Sequence, residues 1–340
     1  MVTDMTDRPS RIHSEIDYDK SGRQDGFLRL PHSVHRSAYG WIPIPIVQIK
    51  NGDGPTALLM AGNHGDEYEG QVALTKLVQA LQPEDIKGRL IVLTMANYPA
   101  AQAGLRTSPI DDGNLNRSFP GEPDGTPTKA IAHYIEGTIL PLCDYMLDMH
   151  AGGSSLLYPP TALYVRTADT ARNKAMEALQ ITFDAPYGFV FQGGESTGDS
   201  VSNAAALRQG AISIGTEMGG AGTVSADVLA IAERGVRRFL HHLGMLPGYQ
   251  PDAARGVRTM ELLGPEYFVY ARDEGLFEPY VELLDEVKAG QEAGAIHHPE
   301  TPWRAPTICH FEQSGMVICK RIPGRAKRGD CLLHLATDIA

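Results

Sequence analysis

Between Trp41 and Leu243 the sequence alternates strand-like and helix-like segments, which limits the chain to a mostly parallel or mixed sheet covered by helices. Strands are expected at residues 44–49, 57–61, 90–96, 145–149, 163–166, 188–191 and 212–217. Pro43 and Pro45 mark the first of these as an edge strand, because proline cannot donate to a ladder. Helices are expected at 68–81, 128–140, 169–179, 200–209 and 225–243. The first carries Val72, Leu74, Leu77, Val78 and Leu81 along one side, and the second opens after Thr126-Pro127. Residues 100–126 break the pattern. They are rich in glycine and proline, and a loop of that length inside a compact domain is usually functional.

Composition narrows the function classes. The 340 residues, 42% of them hydrophobic and only 21% charged, can bury a core and do not describe a disordered chain. The net charge of −11 argues against nucleic acid as the main partner. No apolar run approaches the roughly 18 residues a membrane helix needs. Residues 1–24 are polar, lack an apolar signal region and read as a flexible tail. Cys143, Cys309, Cys319 and Cys331 form no C-x-x-C pair and read as reduced thiols of a cytoplasmic protein. The α/β domain is expected at 25–250. After a boundary near 248–258, short β-like runs separated by turns make 258–340 a small all-β domain.

Chemistry gathers where apolar strands end. The strand at 57–61 runs into Asn63-His64-Gly65-Asp66-Glu67, so His64 and Glu67 sit in the turn that opens a helix. Open α/β sheets bind ligands at the carboxyl ends of their strands, and imidazole and carboxylate are normal zinc ligands. Alone, H-x-x-E is a weak signal that fits capping and surface hydrogen bonding better than a metal site. The strand at 145–149 ends in Asp148-Met149-His150-Ala151-Gly152. His150 reaches the same sheet edge if the two strands are near neighbours, and completes a His/Glu/His set with room for water. Asp148, on the same side of the strand, is placed to orient a ligand histidine. The strand at 212–217 ends at Glu217, a residue suited to take a proton from attacking water and return it to a leaving nitrogen. Within 100–126, Asn116 and Arg117 suit a substrate carboxylate, and Arg106 could polarise the scissile carbonyl.

In order, G-x-H-G-D-E, N-L-N-R-S-F-P-G, D-x-H and E-x-G resemble the succinylglutamate desuccinylase and aspartoacylase family, which shares its fold with zinc carboxypeptidases. The resemblance implies a zinc-carboxypeptidase-like mixed sheet flanked by helices. It implies one Zn2+ per chain held by His64, Glu67 and His150, Glu217 as general base, and Asn116 and Arg117 on the substrate carboxylate. Arg106 is the nearest candidate for the oxyanion arginine. Many family members carry Asp where this chain has Asn114. Runs such as Asp25–Pro31 and Gly275–Pro279 are similar to the members that deacetylate Nα-acetyl-2,4-diaminobutyrate during ectoine degradation. For such a substrate the free ammonium needs an acidic or carbonyl-rich partner, with Asp111, Asp112, Glu195 and Asp199 as loop candidates. N-acetylaspartate, succinylglutamate and a peptide carboxy-terminus are the alternative substrates. A homo-oligomer is allowed, and pathway adjacency points to the upstream ectoine hydrolase as a partner.

Residues 282–291 and Gly329-Asp330-Cys331-Leu332 resemble the turn of biotinyl and lipoyl domains, which implies a barrel-sandwich for the C-terminal part. The stretch 296–303, where a carrier lysine would sit, has none. A wall at the active-site entrance or an oligomer contact is therefore expected in place of a swinging arm. His297-His298 is read as a surface turn, because adjacent strand residues face opposite ways.

Overall fold

The computed structural model describes residues 9–192 and 198–339. Along the chain the elements are β1 (His13–Ser14), β2 (Gly22–Pro31), β3 (Trp41–Asn51), β4 (Thr56–Ala61), α1 (Tyr68–Ala80), β5 (Gly88–Leu93), α2 (Tyr98–Ala103) and α3 (Pro127–Tyr134). There follow β6 (Tyr145–His150), β7 (Leu156–Leu157), β8 (Thr161–Val165), α4 (Thr170–Phe183), β9 (Tyr187–Phe191), α5 (Ser202–Arg208), β10 (Ile212–Glu217) and α6 (Ala226–His242). The C-terminal part holds β11 (Arg258–Leu262), β12 (Phe268–Tyr270), β13 (Gly275–Pro279), β14 (Glu286–Val287), β15 (Glu292–His297), β16 (Thr307–His310), β17 (Gly315–Arg321), β18 (Arg325–Ala326) and β19 (Cys331–Asp338).

The large sheet is mixed, as the alternation of elements requires. Its order is β1-β2-β3-β5-β4-β6-β10-β8-β9-β11-β19-β17-β14. Strands β5, β4, β6 and β10 run parallel to one another at its centre. Both faces of these strands are covered, so their side chains are apolar in both phases. On β4, Ala57, Leu59 and Ala61 enter the core that includes residues of α1, α4 and α6. Leu58 and Met60 enter the opposite core with Ile131 of α3 and Ala205 of α5. In the C-terminal part, β13, β15, β16 and β18 form a second antiparallel sheet. Phe277 and Ile296 from that sheet pack with Val269, Val317, Leu333 and Leu335 from the large one. The two sheets thus share a sandwich core.

The structure departs from sequence expectation in particular places. The described residues from Arg11 onward are not a frayed tail. Ile12 and Ile16 are buried in the core beneath β2 and β3, and His13–Ser14 pairs with Leu28–Arg29. Each buried isoleucine contributes about 1.5–3 kcal/mol, which offsets part of the cost of ordering the segment. Nor is β3 an edge strand, since it is paired with β2 from Trp41 to Lys50 and with β5 from Val47 to Asn51. Pro43 and Pro45 lie before that second ladder begins, so each sits where β3 is paired on one side only. The helix expected over 128–140 is α3 followed by a wider turn at Ile135–Ile139 and a tight turn at Leu140–Leu142. Asp169 caps α4, accepting hydrogen bonds from the backbone N–H groups of Ala171 and Arg172.

Helix α1 lies close to the sheet because Gly70 has no side chain. A Cβ there would come within 2.6 Å of Met149 Cβ and 3.2 Å of Ala61 Cβ. Gly70→Ala should therefore destabilise the protein. The overpacking penalty of about 1–3 kcal/mol should exceed the roughly 1 kcal/mol that alanine gains in helix propensity. A urea-denaturation midpoint equal to or above that of the unaltered protein would refute this packing account.

Candidate metal centre

Three neighbouring strands bring the chemistry to one edge. Strands β4 and β6 are parallel with Ala61 beside Met149, and β6 and β10 are parallel with His150 beside Glu217. Residues just past β4 and at the ends of β6 and β10 therefore share the carboxyl edge of the sheet. After Ala61 the chain turns through Gly65, where a Cβ would lie 2.0 Å from the Ala100 carbonyl carbon. Only glycine lets that turn tuck under α2. Glu67 then holds the N-cap position of α1.

His64, Glu67 and His150 offer ligand atoms that all lie within 4.8 Å of one another. His64 Nδ1 is 2.7 Å from Glu67 Oε1, and His150 Nδ1 is 2.9 Å from Glu67 Oε2. The other ring nitrogens face outward. His64 Nε2 contacts Asn114 Oδ1 at 3.2 Å, and His150 Nε2 contacts Asp148 Oδ2 at 2.9 Å. A neutral imidazole that donates Nε2–H to those oxygens keeps a lone pair on Nδ1. Two such lone pairs and a carboxylate then face one another in a buried space. That arrangement calls for a cation between them, and the residues fit a divalent metal.

The electrostatics follow from the same packing. Burial opposes ionisation of Glu67, but His64 and His150 outweigh it and hold the carboxyl well below the usual range. Burial opposes a charge on His150, but Asp148 and Glu67 outweigh it and raise its affinity for a proton. Asp148 is fully buried and its Oδ2 also accepts from Asn63 Nδ2 at 2.9 Å and Ser202 Oγ at 2.5 Å. Glu217 is the contrasting carboxyl. Burial first, and then the nearby negative charge of Glu67, push it up to about 8. Its Oε2 is buried with no hydrogen-bond partner.

The arginines expected at the site are there. Arg106 places Nη1 3.5 Å from Glu67 Oε1 and 3.4 Å from His64 Nδ1. Arg117 donates Nη1–H to the Asn116 carbonyl at 2.7 Å, and it makes no ion pair with a carboxylate among the described residues. Burial and the proximity of Arg106 both lower its pKa. An unpaired, partly desolvated guanidinium beside another cation is suited to an anionic group of a ligand. Asn116 Oδ1 accepts from the Ser202 backbone N–H at 2.9 Å, and its Nδ2 lies 3.4 Å from His150 Nε2.

All seven of these residues, His64, Glu67, Arg106, Asn116, Arg117, His150 and Glu217, line one cavity of about 410 Å³. Phe268 and His334, from the C-terminal part, line it too. No sequence motif pointed to them, since a long-range pairing of β12 with β19 brings them in. Nor did any motif reveal Asn63 and Ser202 as partners of Asp148. None of the described loop acids lines the cavity. Asp111 accepts hydrogen bonds from Thr128 at the start of α3, and neither Asp112 nor Asp199 lines the cavity. Glu195 lies outside the described residues.

Comparisons with known proteins show what the chain is similar to. Residues 53–243 match the succinylglutamate desuccinylase/aspartoacylase catalytic domain. The chain is 40% identical, over 97% of its length and 96% of the relative's, to N-alpha-acetyl-L-2,4-diaminobutyric acid deacetylase of Halomonas elongata. The product-bound structure of the ectoine utilization protein EutE (DoeB) from Ruegeria pomeroyi is similar with a TM-score of 0.91. It is 40% identical, and the match covers 97% of this chain and 99% of that one. A succinylglutamate desuccinylase/aspartoacylase structure from Rhodobacter sphaeroides also gives a TM-score of 0.91. It is 38% identical over 97% of this chain and all of that one.

Removing Asp148 should loosen the cluster, because His150 would lose the acceptor that turns its Nδ1 toward Glu67. Asp148→Ala is expected to lower affinity for a divalent ion by about 10–100-fold, measured with zinc in competition with a chelator. Unchanged affinity would mean that Asp148 does not orient the histidine.

Proposed function

The chain belongs to the succinylglutamate desuccinylase/aspartoacylase family, and we propose that it is a zinc-dependent deacetylase hydrolysing Nα-acetyl-L-2,4-diaminobutyrate to 2,4-diaminobutyrate and acetate. The carrying observation is Glu217, in register with His150, with a buried and unpartnered carboxyl oxygen beside the His64–Glu67–His150 cluster. A hydrolase needs such a base within reach of the water it activates.

One zinc ion held by His64, Glu67 and His150 would supply Lewis acidity to the water and to the acetyl carbonyl. Zinc is preferred to cobalt or manganese because nitrogen and oxygen ligation suits it and it is more available. Glu217 takes a proton as the water oxygen bonds to the acetyl carbon. It gives that proton to the α-nitrogen as the carbon–nitrogen bond breaks, so acetate and a free amine leave. Arg106 donates to the oxygen on which negative charge builds. Arg117 binds the α-carboxylate, with Asn116 beside it bracing the turn.

The cavity composition supports this substrate over the dicarboxylic alternatives. With Arg106 and Arg117 committed, the described lining holds no further arginine or lysine for a second carboxylate. The far wall is instead aromatic and imidazole, from Phe268 and His334. A carboxypeptidase reading is disfavoured because those C-terminal residues close in on the site. A cytoplasmic location is proposed with the four free thiols as support. A homo-oligomer and an association with the upstream ectoine hydrolase belong to the same reading, and co-elution tests the latter. Among the described residues no helix is long and apolar enough to cross a membrane.

Acetate release followed by proton NMR should show turnover of the Nα-acetyl isomer and not of the Nγ-acetyl isomer. No release from either by the zinc-loaded protein would reject the substrate. Glu217→Gln should lower kcat by about 10²–10⁴-fold while zinc content stays at one per chain. Loss of zinc in that variant would make Glu217 a ligand instead of a base. The base must be ionised, so kcat/KM should fall as pH drops through the Glu217 pKa. A cation on Glu67 removes part of the repulsion acting on Glu217, so this acid limb should lie below about 8. An acid limb at or above that value would contradict the assignment.

A further inference from the structure

We propose that His334 on β19 is the specificity residue for the substrate's free side-chain amino group, its Nε2 accepting a hydrogen bond from that group. This rests on the deacetylase reading above. His334 lines the same cavity as Glu217 and the His64–Glu67–His150 cluster, yet comes from the last strand of the chain. Its side chain is only 3% exposed, and its Nε2 is buried without any hydrogen-bond partner. A buried polar nitrogen left unpaired costs stability, a cost that an apolar side chain at that position would not carry. An acceptor kept dry and unpaired at the wall of a ligand cavity is the complement of a donor that arrives with the ligand.

The protonation state is the right one. Burial pushes the imidazole down to about 3, so the ring is neutral and can offer a lone pair to an ammonium group. The ring is also held in place. It stacks on Phe268 with centroids 3.6 Å apart and planes 13° from parallel. Among the described residues, the only carboxylates lining the cavity are Glu67 and Glu217, both committed to the reaction. The described lining thus offers a cationic side chain neutral acceptors, and among them His334 has a buried nitrogen without a partner.

The test compares kcat/KM for Nα-acetyl-2,4-diaminobutyrate and for Nα-acetyl-2-aminobutyrate, which lacks the side-chain amine. The zinc-loaded protein should favour the first. His334→Leu should lose about 10- to 100-fold on the first substrate, the range for a hydrogen bond to a charged group, and keep its rate on the second. His334→Gln, whose amide oxygen reaches the place of Nε2, should retain the preference. If His334→Leu does not fold, His334→Asn withdraws the acceptor from that place and should show the same lost preference. Equal losses on both substrates, or no preference in the unaltered protein, would reduce His334 to a packing residue and overturn the proposal. No turnover of either substrate would instead overturn the deacetylase reading, and this inference with it.

Discussion

The Glu67 carboxylate is where the fold and its chemistry meet. It is buried, and its oxygens face the Nδ1 atoms of His64 and His150 while one also accepts the Ala151 backbone N–H at 3.1 Å. A charge in that position is tolerated only when it is paired and hydrogen-bonded. Meeting that condition requires β4 and β6 to be parallel neighbours in their observed register. It also requires α1 to start at Tyr68 and Gly70 to let that helix lie against Met149. A shift of β6 by one residue would send Asp148 and His150 to the opposite face, toward the apolar core beneath α1. The register that buries Leu147 and Met149 on one side is the same register that delivers the histidine.

The C-terminal sheets complete what the α/β part begins. The loop after His150 is fastened at one end by Asp66, whose Oδ2 accepts from the Ser154 backbone N–H and Oγ. At the other end β7 pairs with β17, joining Leu156–Leu157 to Lys320–Arg321. The large sheet itself continues through the parallel pair β9–β11 into β19. Ladder hydrogen bonds are directional, so these pairings position Phe268 and His334 against the cavity more firmly than a surface contact between loosely linked domains would.

Local chemistry was legible in the sequence where it depended on neighbours along the chain. His64 with Glu67, Asp148 with His150, and Glu217 each end an apolar run, and strand periodicity is enough to put such residues at a sheet edge. What could not be read was anything set by pairing across distance. The order β4-β6-β10, which makes three separate strand ends into one site, appears in no local pattern. Ile12 and Ile16 looked like parts of a polar tail because two apolar residues have no period, and their burial depends on β2 and β3 being above them. Pro43 and Pro45 correctly reported a missing ladder partner but reported it only for their own half of β3. Asp111 looked free for a ligand until Thr128 was brought to it.

Asn114 shows how one neutral atom can matter in a crowded electrostatic site. Its Oδ1 accepts from His64 Nε2 at 3.2 Å, the part that a carboxylate plays for His150. An aspartate there would orient the ring equally well. It would also add a negative charge to a site that already contains Glu67, Asp148 and Glu217. Glu217 is held up to about 8 by burial first and by Glu67 next, with Asp148 acting in the same direction. One more carboxylate would push Glu217 further toward its protonated form, in which it cannot accept a proton from water. The amide fixes the histidine tautomer without that penalty. Orientation by dipole at His64 and by charge at His150 therefore divides the work so that Glu217, proposed as the base, remains ionisable.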